Sequence, residues 1–127
     1  MAALFDIFVY GLLMPGQSGY AELNLANRAR HLGPGRVRGS LHDLGDYPGL
    51  TLRGAGIVHG EILRSSGSQL LRDLDAYELY DPENVAGSEY RRVRIALLVS
   101  GETAWAYVYL QPLAGRPIIA TGDWRTR

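Results

Sequence analysis

The chain has 127 residues, zero formal net charge, no cysteine and no lysine, so its thirteen basic residues are all arginine. That length predicts one domain over 1–127 with room for a real core, and the charge balance gives no case for nucleic acid or a membrane surface as partner. Disulfides, thiol catalysis, thiolate metal sites, lysine Schiff bases and a P-loop lysine are excluded by composition.

Leu4 to Tyr10 is apolar and aromatic except for Asp6, short enough for a buried strand. Met1 to Tyr10 has no basic region ahead of its apolar stretch, so it does not read as a secretory signal. No apolar run approaches the ~20 residues of a membrane span; a cytoplasmic protein is expected. Gly11 to Gly19 has loop chemistry. Residues 20–31 read as a short helix with a poorly apolar face, ended by His31-Leu32-Gly33-Pro34-Gly35. Arg36 to Leu44 reads as a strand, Gly45 to Gly49 as a turn, and Leu50 to Arg53 and Ile57 to Leu63 as strands. Gly60 marks a close backbone approach or a bulge.

Ser68 to Glu78 carries Leu70, Leu71, Leu74 and Tyr77 at i, i+1, i+4, i+7, one face of a helix. Ser65 to Ser68 are candidates to cap it. At about 100° per residue, Glu78 projects between Leu71 and Leu74, on the core side. Carboxylates seldom go there without a partner or a task. Burial and the helix C-terminus both raise its pKa, toward the range where an acid can accept and return a proton. The competing reading is a structural Glu78 locked against an arginine, with Arg92 the candidate.

Asp81 to Gly87 is a polar loop. Tyr90 to Val99 places Val93, Ile95, Leu97 and Val99 on one face of a half-buried strand, with Arg92 and Arg94 on the other. Gly101-Glu102 turns it into the strand Thr103 to Leu110, where Trp105, Tyr107 and Tyr109 share a face. Trp105 and Trp124 read as packing residues. His31, His42 and His59 lack metal-ligand spacing, so no metal is expected. His59 and Glu61 share a strand face and could meet near a pocket. Strands outnumber helices, which fits an α+β domain on a strongly bent or closed antiparallel-rich sheet.

The run Phe8-Val9-Tyr10-Gly11-Leu12-Leu13 with Gly16 is neither a dinucleotide fingerprint nor a P-loop. It resembles the Tyr-Gly-Thr-Leu signature of γ-glutamylcyclotransferase-like proteins, a family that includes avirulence-induced-gene-like plant proteins and small bacterial ones. Further resemblances follow in the family's order. They are Asp46-Tyr47-Pro48-Gly49-Leu50, Val58-His59-Gly60-Glu61-Ile62-Leu63, Leu74-Asp75-Ala76-Tyr77-Glu78 with Tyr90-Arg91-Arg92, and Gly122-Asp123-Trp124. No single motif is specific, but the ordered set is.

The resemblance implies a compact closed or strongly bent mixed β-barrel of about six strands with a few flanking helices. It also implies a substrate pocket at the barrel mouth and conversion of a γ-glutamyl amine or amino acid to 5-oxoproline. That reaction needs no cofactor. The family's acid/base falls on Glu78, its ligand-holding loop on Tyr10, Gly11, Leu12 and Leu13, and an aromatic on Tyr90. A second aromatic falls on Tyr107 or Tyr109, an alternative the sequence leaves open. The implied partner is a small-molecule γ-glutamyl substrate, in a monomer or weak homodimer. Two departures are visible: Leu12 replaces the usual Thr or Ser, and Leu79 replaces the Gly that commonly follows the acid. Leu12 favours a rival reading, a non-catalytic module that holds a small carboxylate-bearing metabolite on the same fold.

Overall fold

The computed structural model describes residues 3–127; of the Met1 to Tyr10 segment, Met1 and Ala2 lie outside the described residues. Strand β1 (Leu4–Val9) leads into the Gly-containing loop and a five-residue helix α1 (Ser18–Glu22), then a 3-10 turn at Leu25–Asn27. Strands β2 (Arg30–Arg38), β3 (Ser40–Asp43), β4 (Pro48–Thr51) and β5 (Ile57–Ser66) precede helix α2 (Ser68–Tyr77). Strands β6 (Tyr90–Ala96) and β7 (Thr103–Tyr109) follow, and a 3-10 turn at Trp124–Thr126 ends the chain.

A five-stranded sheet runs β2-β5-β1-β7-β6, and β3-β4 form a separate two-stranded sheet. The pair β1–β7 is parallel, while β1–β5, β2–β5 and β6–β7 are antiparallel. The architecture is therefore mixed α+β, as expected, but the expected closed barrel is not formed. The two edge strands approach through one bond, Leu98 N–H to Arg36 C=O at 2.9 Å. Strand β6 has already ended at Ala96, and Val99 takes φ 75° in the turn that follows. No extended segment is left to continue a ladder along β2. The same turn corrects the reading of Val99 as a core-facing strand residue, since it is 92% exposed.

The helix expected over 20–31 is replaced by α1, the 3-10 turn and the start of β2. Asn24 at φ 54° interrupts any helix, and from Arg30 onward the backbone pairs with β5. Pro34 and two glycines fit there because β2 is an edge strand with a register shift between His31 and Gly33. The single strand expected over 36–44 is split at Gly39, and the second half pairs with β4 instead.

No side chain caps α2: its N-cap is Gly67, while Ser65 Oγ–H donates to Arg28 C=O and Ser68 Oγ accepts from Arg72. The helix is held by its buried face, with Leu70 and Leu74 over Phe5, Ile7, Val9 and Leu63 of β1 and β5. In an amphipathic helix of this length, such packing outweighs capping. Trp124 is buried, whereas Trp105 is half-buried, with the guanidiniums of Arg92 and Arg94 4.4 and 4.6 Å from its ring centroid. Gly60 does mark a close approach: a Cβ there would sit 2.2 Å from the Val9 carbonyl oxygen. That contact seats the end of β1 directly on β5 and fixes where the following loop emerges.

Candidate active site

Helix α2 stops at Tyr77, and Glu78 is its C-cap, at φ −86° and ψ 5°. Two bonds close the helix end, Leu79 N–H to Ala76 C=O at 3.2 Å and Tyr80 N–H to Asp75 C=O at 2.9 Å. This pairing needs a left-handed residue after the cap, usually glycine. Here Leu79 adopts it, at φ 54°. The strain fixes the direction in which Glu78 leaves the helix. Because Leu79 is 63% exposed, Leu79→Gly loses little packing and relieves the strain. It should stabilise the fold by about 0.5–1 kcal/mol after glycine's extra chain entropy is subtracted. A lower urea midpoint in that variant would refute this account of the helix exit.

Glu78 opens onto a cavity of ≈ 190 Å³. Its floor is made by Phe8, Val9, Tyr10, Pro48, Tyr90 and Tyr107, all buried, and its rim includes Leu12, Tyr47, Tyr77, Leu79 and Glu89, all at least partly exposed. The volume slightly exceeds the ~150 Å³ of an engineered cavity that holds benzene. It suits the head of a small metabolite, with any remainder leaving past the rim. Among the described residues, the Glu78 carboxylate has no hydrogen bond or ion pair. Its pKa is pushed up from 4.5 to about 8, first by burial and second by the neighbouring charge of Glu89. Its position at the negative end of α2 acts in the same direction.

The loop after β1 forms another part of the wall. The carbonyl oxygens of Gly11 and Leu12 accept from Met14 N–H and Tyr20 N–H, both at 3.1 Å. The N–H groups of Gly11, Leu12 and Leu13 donate to nothing within the described residues. A row of free amides along a cavity is an anion cradle. Gly11 is required for its position, because a Cβ would lie 2.7 Å from the Pro48 ring.

The tyrosines supply ring walls rather than free donors. Tyr10 Oη–H donates to Tyr107 C=O at 2.7 Å and accepts from Leu50 N–H at 3.2 Å. Tyr90 Oη–H donates to Pro48 C=O at 2.7 Å, and Tyr107 Oη–H donates to Asp75 Oδ1 at 2.7 Å. Each phenol has one proton, and each is engaged. Burial first, helped by nearby acidic groups, raises all three pKa values well above the ordinary phenol range.

The structure thus brings Tyr10, Gly11, Leu12, Leu13, Glu78, Tyr90 and Tyr107 to one cavity. Of the two aromatics left open by sequence, Tyr109 is not on the wall; its ring meets Tyr90 edge-on with centroids 5.2 Å apart. The structural lock of Glu78 to Arg92 is also not formed. Arg92 Nε donates instead to Asp75 Oδ1 at 2.8 Å, which leaves Glu78 free. His59 and Glu61 do not meet at this cavity. Glu61 is held by His31 Nε2 at 2.6 Å and Arg125 Nη1 at 3.0 Å, and His59 lines a separate open hollow. No group of three His, Asp or Glu among the described residues has metal-binding geometry.

Sequence reasoning missed Glu89, Tyr77 and Asp75, and read Tyr47 and Pro48 only as turn residues. Glu89 follows a polar loop and precedes Tyr90, a pattern that carries no periodic signal. Its role at the rim depends on Tyr47 Oη–H, which donates to Glu89 Oε1 at 2.5 Å across the fold.

The profile of the family described as "Gamma-glutamyl cyclotransferase, AIG2-like" matches residues 7–126. The chain belongs to that family. The Gamma-glutamylcyclotransferase family protein YtfP of Escherichia coli (strain K12) is 36% identical over 122 residues, covering 95% of this chain and 96% of the relative. The solution structure of protein ytfP from Escherichia coli superposes with a TM-score of 0.67 at 34% identity, over 97% of this chain and 100% of that one. The crystal structure of an AIG2-like protein from Mus musculus gives 0.62 at 26% identity, over 85% and 77%. The γ-glutamylcyclotransferase-like architecture is therefore that of a mixed sheet with few helices. No described helix is long and apolar enough to cross a membrane.

Proposed function

We propose that the protein converts a γ-glutamyl amine or amino acid to 5-oxoproline and a free amine, with Glu78 as general base and then general acid. The reading is carried by one observation: an unpaired Glu78 shares a cavity with three free main-chain amides; burial, which favours its protonated form, supports it. A ligand matching those groups has a carboxylate for the amides and an ammonium for Glu78, which is the head of an α-amino acid.

In the reaction, Glu78 takes a proton from the substrate's α-ammonium. The freed amine nitrogen attacks the γ-carbonyl carbon, forming the ring C–N bond. The original amide C–N bond breaks as Glu78 returns that proton to the departing nitrogen, and the ring nitrogen sheds its second proton, which ends on the expelled amine as its ammonium. No water, metal or oxidant enters the balance. The bound ammonium stabilises the Glu78 carboxylate and draws its pKa down, which times the first transfer. The walls of Tyr10, Tyr90 and Tyr107 favour the folded, attacking shape of a flexible glutamyl chain.

The test is incubation with a panel of γ-glutamyl amines and amino acids and chromatographic measurement of 5-oxoproline. Release from at least one compound supports the enzyme. The second reading, a binding module, is favoured by Leu12, whose side chain places hydrocarbon where the family usually has a hydroxyl. Binding of the same panel without release, in both wild type and Glu78→Gln, would establish that reading instead.

A further inference from the structure

We propose that Glu89, clamped by Tyr47 at the cavity rim, selects γ-glutamyl substrates whose leaving amine carries a second positive charge. The proposal rests on the cyclisation reading above and names the substrate class for it. An α-amino-acid head engages the amides of residues 11–13 and Glu78. One charged wall group is then left over, the carboxylate of Glu89. Its Oε1 accepts from Tyr47, and its Oε2 has no partner among the described residues. Among the described residues, no arginine or histidine lines the cavity. Arg116 acts on Tyr47 from outside the lining, and its Nη1 donates to Leu44 C=O at 3.1 Å.

The rim therefore presents a carboxylate with no ion-pair partner among the described residues to whatever passes out of the cavity. Glu89 N–H donates to Leu79 C=O at 3.0 Å, and both residues line the same rim, where Leu79 is exposed. Hydrocarbon next to a fixed carboxylate suits a short methylene chain ending in ammonium. It opposes a leaving amino acid with its own carboxylate, because like charges repel across a partly dry rim. The clamp persists through neutral pH, since the bond to Glu89 and burial push the Tyr47 phenol up to about 12. The second ammonium takes no part in bond making. It positions the departing nitrogen and sets preference.

The experiment compares three substrates of matched length: the mono-γ-glutamyl derivatives of a four-carbon diamine, of butylamine and of the four-carbon ω-amino acid. In wild type, kcat/KM should fall by roughly tenfold at each step in that order. In Glu89→Gln, the diamine and butylamine derivatives should come within about twofold of each other. The ratio is read within each variant, so a change in Glu78's proton affinity, shared by both substrates, cancels. Tyr47→Phe should shift the ratio in the same direction by less. Should Glu89→Gln not fold, salt titration of wild type replaces it: the diamine preference must shrink as ionic strength rises. An unchanged ratio in Glu89→Gln, a salt-insensitive preference, or a faster acidic substrate overturns the proposal. If no compound releases 5-oxoproline, the cyclisation reading fails, and calorimetric Kd values for the same three compounds decide this one. Tightest binding of the diamine derivative, lost in Glu89→Gln, sustains it; equal values overturn it.

Discussion

Glu78→Gln should lower 5-oxoproline release by about 10²–10⁴-fold, the range a positioned general acid/base contributes. The amide keeps the size of the side chain and removes only proton transfer. Wild-type kcat/KM should rise with pH on a limb centred near 8, where the empty site's Glu78 ionises. It should fall at higher pH as the substrate's own ammonium deprotonates, because the productive complex pairs carboxylate with ammonium. A variant retaining wild-type release, or an acid limb near 4.5 in wild type, would remove Glu78 from the mechanism.

The same substitution has a stability signature of definite sign. The folded chain holds the Glu78 proton up to about 8, whereas an unfolded chain releases it near 4.5. Between those values the folded state carries more bound protons, so this group makes stability fall as pH rises, and adds no slope outside the window. Glu78→Gln removes that slope. At pH 9 the variant should be the more stable by at least about 1 kcal/mol, and at pH 4 the two should coincide. Urea midpoints measured across this range check it independently of turnover. A slope equal in both proteins would mean that the carboxylate is solvated.

Asp75→Ala should be the most damaging single change to the support of the cavity, at about 3 kcal/mol of stability. Asp75 is buried and accepts from Arg92 Nε at 2.8 Å, Arg92 Nη2 at 3.3 Å and Tyr107 Oη at 2.7 Å. Its removal strands a largely buried guanidinium and a buried phenol together. Stacking on Trp105 keeps part of the arginine's stabilisation, which places the expected cost at the low end for breaking a buried pair. Tyr107 is tied at both ends, through its hydroxyl to Asp75 and through its carbonyl to Tyr10 Oη–H. Loosening it should also raise KM for any ligand of the cavity. A loss below about 1 kcal/mol by chemical denaturation would show that the network contributes little to the fold.

Local sequence settled a good deal of this molecule. The apolar run after Leu4, the period of Leu70, Leu74 and Tyr77, and the alternation from Tyr90 are short-range patterns set by backbone periodicity. They yielded β1, α2, β6 and β7 with small boundary shifts. The inward aim of Glu78 followed from helix angle alone, and the ordered motifs pointed to the family. What sequence could not settle was every relation that depends on which segment meets which. Residues 30–38 became strand because β5 offered an edge, overriding a weak helical pattern. The sheet stayed open because the turn after Ala96 left β2 a single bond. Arg92 chose Asp75 over Glu78, Tyr107 reached the cavity and Tyr109 did not, and Glu89 became a wall residue through a tyrosine 42 positions away. Periodicity reports the face of an element toward its own axis. Partner choice is a competition among distant groups for the same buried bond, and only the packed chain resolves it.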